Sequence, residues 1–225
     1  MKLNKEQIQT VENYLNKIDL DYLDIHFEVL DHISTDIENL MAAGDQLNFN
    51  EAFEAVKKKW KKSFKYESSI LISVFHARPS IFLNRCLKIY KPYYRNAMLI
   101  VFLSVFGFGF FQKHVLQNLE IFNLVIINLF LITSLFYVWF VFYFYFKIKK
   151  TKLKTSYSYL HNTQIAPNIL VLVLILSNIS KGSFLKIDSL YIFMFFLLVL
   201  SIYQGFIFCK KHLKIVSNYK EYQLK

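Results

Sequence analysis

Four apolar stretches in the C-terminal part of the chain decide most of what it can fold into. They are "NAMLIVFLSVFGFGFF" (96–111), "IFNLVIINLFLITSLFYVWFVFYFYF" (121–146), "IAPNILVLVLILSNIS" (165–180) and "LYIFMFFLLVLSIYQGFIFC" (190–209). A bilayer's hydrocarbon core is about 30 Å thick, and a helix needs about 20 apolar residues to cross it. The second and fourth stretches meet that length, and the second is long enough to tilt. The first and third are shorter, and the first gains from "PYYR" just ahead of it at the headgroup level. With 55% apolar residues and a mean hydropathy of +0.31, the chain is too apolar for an ordinary soluble domain. The expected fold is all-α: four transmembrane helices in the 96–209 region, preceded by a small helical domain.

Charge orients those spans. Eleven Lys/Arg lie between residues 57 and 95, five in the 147–154 loop and five in the 210–225 tail, against three (Lys113, Lys181, Lys186) in the other two loops. Positive residues accumulate on the cytoplasmic side, so both termini are expected in the cytoplasm of a bacterial inner membrane. The net charge of +11 hides an asymmetry: residues 1–56 hold three lysines against twelve carboxylates. An acidic head on a basic, apolar body fits a bilayer with anionic headgroups better than nucleic acid, for which no reading motif is present. Cys86 and Cys209 suggest neither a disulfide framework nor a zinc site, and the polar "MKLNKEQIQTVENYL" lacks the apolar core of a signal peptide.

Residues 1–66 read as a cytosolic three-helix domain. Asn4 with Gln7, and Asn48 with Glu51, are helix-start signatures. Ile8, Val11, Leu15 and Ile18 make one apolar stripe, while Phe49, Phe53, Val56, Trp60 and Phe64 make another. The middle helix is expected from about Asp21 to a stop at Gly44. It contains "LDIHFEVLDHISTDIE", where two histidines stand among carboxylates. At helical spacing Ile25, Val29, Ile33 and Ile37 share an apolar arc that also takes in His26. His32 lies about 120° away from His26, so the two rings cannot share a metal ion. Asp24, Glu28, Asp31, His32 and Asp36 form a charged outer stripe and are the candidate partner surface. Two flanking carboxylates favour His32 in its charged form.

At these residues the sequence resembles the permease-prefix type of domain, found at the cytosolic N-terminus of bacterial membrane proteins. The shared pattern is an acidic-His-Ile step, a glycine and a Glu-Ala-Phe helix, here Asp31-His32-Ile33, Gly44 and Glu51-Ala52-Phe53. The resemblance covers roughly residues 5–66, and the whole layout is similar to small multi-span membrane proteins of Bacteroidota. It implies location and architecture and carries no catalytic residue or cofactor.

Residues 67–95 read as a basic juxtamembrane segment. Beyond Pro79, Ile81, Phe82, Cys86, Ile89 and Tyr90 share one side, as in a helix lying in the cytoplasmic interface; the alternative is a plain extension of the first span. Within the spans no Asp, Glu, Lys, Arg or His occurs, which weakens a pump or coupled transporter. Asn123, Asn128, Asn168, Asn178 and Gln204 are candidate interhelical contacts, and Ser201 with Gly205 makes a small-xxx-small pair. His161 and His212 stand alone in the basic segments and are expected at the surface. No catalytic constellation, metal set or phosphate loop is present. The expected role is therefore non-enzymatic: docking of an unknown protein through residues 1–66, in regulation or scaffolding, with self-association left open. The alternative is a component of a transporter or small-molecule passage, with Asn128, Asn168 and Gln204 around one wet cavity.

Overall fold

The computed structural model describes residues 2–43, 47–114, 119–180 and 189–223. Side chains are described within these except at 111–114, 119–123, 126, 166–168, 171, 174–180, 189–192 and 222–223. The described chain is almost entirely helical: α1 (Lys5–Lys17), α2 (Leu23–Ala42), α3 (Phe49–Trp60), α4 (Ser80–His114), α5 (Leu119–Lys149), α6 (Ser156–Ser180) and α7 (Ser189–Gln223). Between α3 and α4 lies one antiparallel pair, β1 (Tyr66–Ser69) and β2 (Ser73–Pro79). The chain divides into two compact units. The first is Met1–Lys88 with Leu153–Tyr159 and Ile215–Lys225; the second is Ile89–Lys152 with Leu160–Lys214.

In the first unit the helix starts are those the sequence encodes. Asn4 accepts from the Gln7 amide while the Gln7 side chain accepts from the Asn4 amide, each at 2.9 Å, and Asn48 and Glu51 do the same at 3.0 Å. Two otherwise orphaned amides are satisfied at each helix start. α2 has no side-chain cap at Tyr22, and the expected stop at Gly44 lies outside the described residues. The apolar stripes meet in one core: Val11 and Leu15 of α1, Ile25, Val29, Ile33 and Ile37 of α2, and Ala52, Phe53 and Val56 of α3 are all buried. Tyr14 packs edge-on to Phe53 and Phe64, with centroids 5.6 and 6.0 Å apart.

The hairpin is the departure from an all-helical chain. Tyr66, Val74 and Phe75 suit a strand, and Pro79 sits at the strand's end, where its missing N–H costs no ladder bond. Glu67 pairs with Arg78 but Ser69 with Ser73, so extra residues of β2 bulge out opposite Ser68. The base of the hairpin is fixed: the Ser80 and Ile81 amides donate to the Lys65 and Ser63 carbonyls at 2.8 and 2.9 Å, giving the first amides of α4 their partners. Arg78 pairs with Asp19 at 3.1 Å, and Asp19 itself holds the left-handed turn between α1 and α2 at φ 58°.

α4 runs unbroken from Ser80 through Pro92, so residues 80–91 and 96–111 belong to one helix of 35 residues. Pro92 has no N–H for the carbonyl of Lys88, an exposed residue. In the second unit, Phe130 and Tyr137 of α5, Leu172 of α6 and Leu198 of α7 form one buried cluster. Phe144, Ile148 and Cys209 form another. Among the described residues, three segments are long and apolar enough to cross a membrane: Ser80–Phe110, Ile127–Lys149 and Phe193–Glu221. Only 11%, 22% and 22% of their most apolar windows is buried within the protein. Side chains such as Leu103, Phe106, Leu135 and Phe142 are left outward-facing, as a lipid environment requires and water would penalise.

Candidate functional site

Two places carry polar chemistry, one in each unit. In the first unit the charged stripe of α2 separates into residues with structural work and residues without. Asp24 Oδ1 accepts from the Ser156 amide at 2.8 Å, at the start of α6. A carboxylate there meets the positive end of the helix dipole. The same helix start carries a reciprocal cap, with the Thr155 amide donating to Ser158 Oγ at 2.9 Å and the Ser158 amide to Thr155 Oγ1 at 3.2 Å. One step back, the Leu23 amide donates to the Lys154 carbonyl at 2.9 Å and Lys154 pairs with Asp21. The start of α2 is thus tied to the 153–156 segment by backbone, dipole and charge.

Asp36 is also committed. Lys59 Nζ lies 2.8 Å from both of its oxygens and Trp60 Nε1 donates at 2.8 Å. Burial pulls this carboxyl upward, but the hydrogen bonds from Lys59 and Trp60, with the charges of Lys59 and His32, outweigh it and hold it below its usual value. Glu28, Asp31 and His32 remain exposed. His26 is half-buried on the other side, its Nδ1 2.7 Å from the Leu20 carbonyl.

In the second unit α5, α6 and α7 line a cleft: Tyr137, Phe140 and Val141; His161, Gln164 and Ile165; Ser201, Gln204, Gly205 and Phe208. Its cavity volume of about 20 Å³ admits a single water, which needs roughly 10–15 Å³. His161 is only 5% exposed, and its Nε2 is buried with no hydrogen-bond partner among the described residues. The ring lies against Gly205: a Cβ there would stand 3.4 Å from His161 Nδ1, in ordinary contact. Gln164 accepts from the Tyr90 hydroxyl at 3.0 Å. His212 is fully buried, with Nε2 3.1 Å from Thr151 Oγ1.

Both histidines were expected at the surface, and both are buried. Lys210, Lys211 and Lys214 flank His212, and Lys154 is the nearest lysine before His161; the two rings turn inward, where Gly205 packs against His161 and Thr151 bonds His212. Of the span amides, Gln204 lines the cleft. Asn128 is exposed, bonding its own helix at the Leu124 carbonyl (2.8 Å), and is not among the lining residues. The side chains of Asn123, Asn168 and Asn178 lie outside the described residues. The signal that could have found the cleft was the Ser201/Gly205 pair, whose small side chains leave room on α7. Among the described residues no three His, Cys, Asp or Glu side chains gather as a metal ion needs.

Helices of this length and apolarity, with outward faces this greasy, define a membrane protein. Comparison with protein-family models, with curated proteins and with solved structures finds no match.

Proposed function

We propose that the chain is a non-enzymatic inner-membrane protein whose N-terminal helical region docks a membrane or cytosolic partner, in a regulatory or scaffolding role. Both termini are cytoplasmic and the spans number four, α6 being the fourth; the charge asymmetry of the loops supports this orientation. The head resembles the permease-prefix type in its Asp31-His32-Ile33 step. The observation that carries the docking reading is the division of labour on α2. Asp24 and Asp36 are bound within the protein, while Glu28, Asp31 and His32 are left exposed on the same helix, suited to a partner with a basic patch. The test uses the full chain in native membranes, comparing wild type with Glu28→Lys/Asp31→Lys by crosslinking and quantitative co-purification. A set of proteins retained by wild type and lost from the variant is expected; identical sets sink the reading. The second reading, a small-molecule passage, finds less support: the cleft at His161 has room for one water, and Asn128 is exposed away from it while Gln204 lines it.

A further inference from the structure

The hairpin carries chemistry that the docking reading leaves unused. Ile70 at its tip is 91% exposed and Phe75 in the β2 bulge 94%, with Val74 exposed beside them. Only Ile72 of this stretch is tucked away. Exposed aromatic and branched side chains at a tip and an adjoining bulge are costly in water and need an apolar surrounding. Two observations say which one. First, the hairpin's base is bonded to a basic segment: Ser80 Oγ donates to the Lys62 and Ser63 carbonyls, and its amide to that of Lys65. Lys61, Lys62 and Lys65 are exposed there. Second, β2 ends at Pro79 and the next residue opens a segment apolar enough to cross a membrane.

We propose that this hairpin is a membrane-surface anchor: Ile70, Val74 and Phe75 insert among the headgroups of an anionic bilayer while Lys61, Lys62 and Lys65 bind the lipid phosphates. The anchor rests on the reading of α4 as a membrane span. It fits a lipid surface better than a protein groove, because the apolar residues are few, lie at a tip and a bulge, and the exposed lysines at the base outnumber the hairpin's one exposed carboxylate, Glu67.

The test places a nitroxide at Val74→Cys in the full chain; Cys86 and Cys209 are buried and leave that thiol as the accessible one. A second sample carries it at Leu103→Cys, an outward-facing site on α4. Both are measured in nanodiscs of phosphatidylcholine mixed with phosphatidylglycerol, and in phosphatidylcholine alone. The expected result at site 74 is several-fold more collision with oxygen than with a water-soluble nickel chelate in the anionic discs. The ratio should fall in the neutral discs and with Lys61→Gln/Lys62→Gln/Lys65→Gln. A water-like site 74 beside a lipid-like site 103 overturns the anchor and leaves the span intact. An immobilised label shielded from both reagents overturns it in favour of a protein partner or a second copy. A ratio indifferent to lipid charge overturns the role given to the lysines. A water-like site 103 overturns the span reading itself.

Discussion

Replacing Asp36 by Ala tests how α3 is held to α2. Two kinds of interaction end on this carboxylate. Trp60 Nε1 donates at 2.8 Å from a half-buried ring; hydrogen bonds to a charged acceptor contribute about 1.5–3 kcal/mol. The Lys59 pair is weaker, because the Lys59 side chain is 65% exposed and that of Asp36 23%; exposed pairs contribute about 0.2–1 kcal/mol. Asp36→Ala therefore costs about 2–3 kcal/mol, or roughly 30- to 150-fold in the local opening of α3. Asp36→Asn keeps an acceptor for Trp60 and loses mainly the charge, so its cost stays below about 1 kcal/mol. The readout is amide hydrogen exchange across Phe49–Trp60 in the reconstituted full chain, corrected for intrinsic rates. The carboxyl sits below its ordinary value. Its contribution is thus complete above the unfolded value of about 3.9, and is lost as pH falls through the lower folded value. Wild-type protection of α3 should be flat from neutrality down to about pH 4 and decline below it, and this group's share of the decline should vanish in Asp36→Asn. Equal effects of Asn and Ala, or less than a twofold effect of Ala, would refute the reasoning.

Two further outcomes follow from the packing. At Gly205 a new Cβ would meet His161 at 3.4–3.5 Å, ordinary contact. Gly205→Ala should therefore be neutral, or stabilising by up to about 1 kcal/mol through helix propensity, whereas Gly205→Leu should displace the ring and lower the melting temperature. Ile33, 1% exposed in the first-unit core, should cost about 2–5 kcal/mol as Ile33→Ala, read as faster exchange in α1 and α2.

The parts of this fold that the sequence exposes are those governed by local rules. Asn4 with Gln7 and Asn48 with Glu51 start their helices as written, because a capping box is complete within four residues. The isoleucines of α2 share a face because the helical period alone decides it. What sequence could not show depends on distant partners. Asp24 looks like one more surface carboxylate until Ser156, 132 positions away, presents its amide. His161 and His212 look solvated in or next to basic segments, yet both are buried. The hairpin stayed hidden because neither a Gly nor an Asn marks its turn, and its bulge breaks the alternation that identifies a strand. Residues 80–91 read equally as a helix in the interface or as an extension of the first span, and the helix runs on through Pro92.

The central claim is a membrane-embedded body with its acidic head in the cytoplasm, and impermeant thiol labelling tests it most directly. Glu28→Cys lies on an exposed face of α2 and Lys113→Cys in the last turn of α4, while the native Cys86 and Cys209 are buried. In intact, right-side-out membrane vesicles the account predicts labelling at position 113 and none at position 28 until the membrane is permeabilised. Labelling of position 28 without permeabilisation, or extraction of the whole chain by alkaline carbonate, would contradict it.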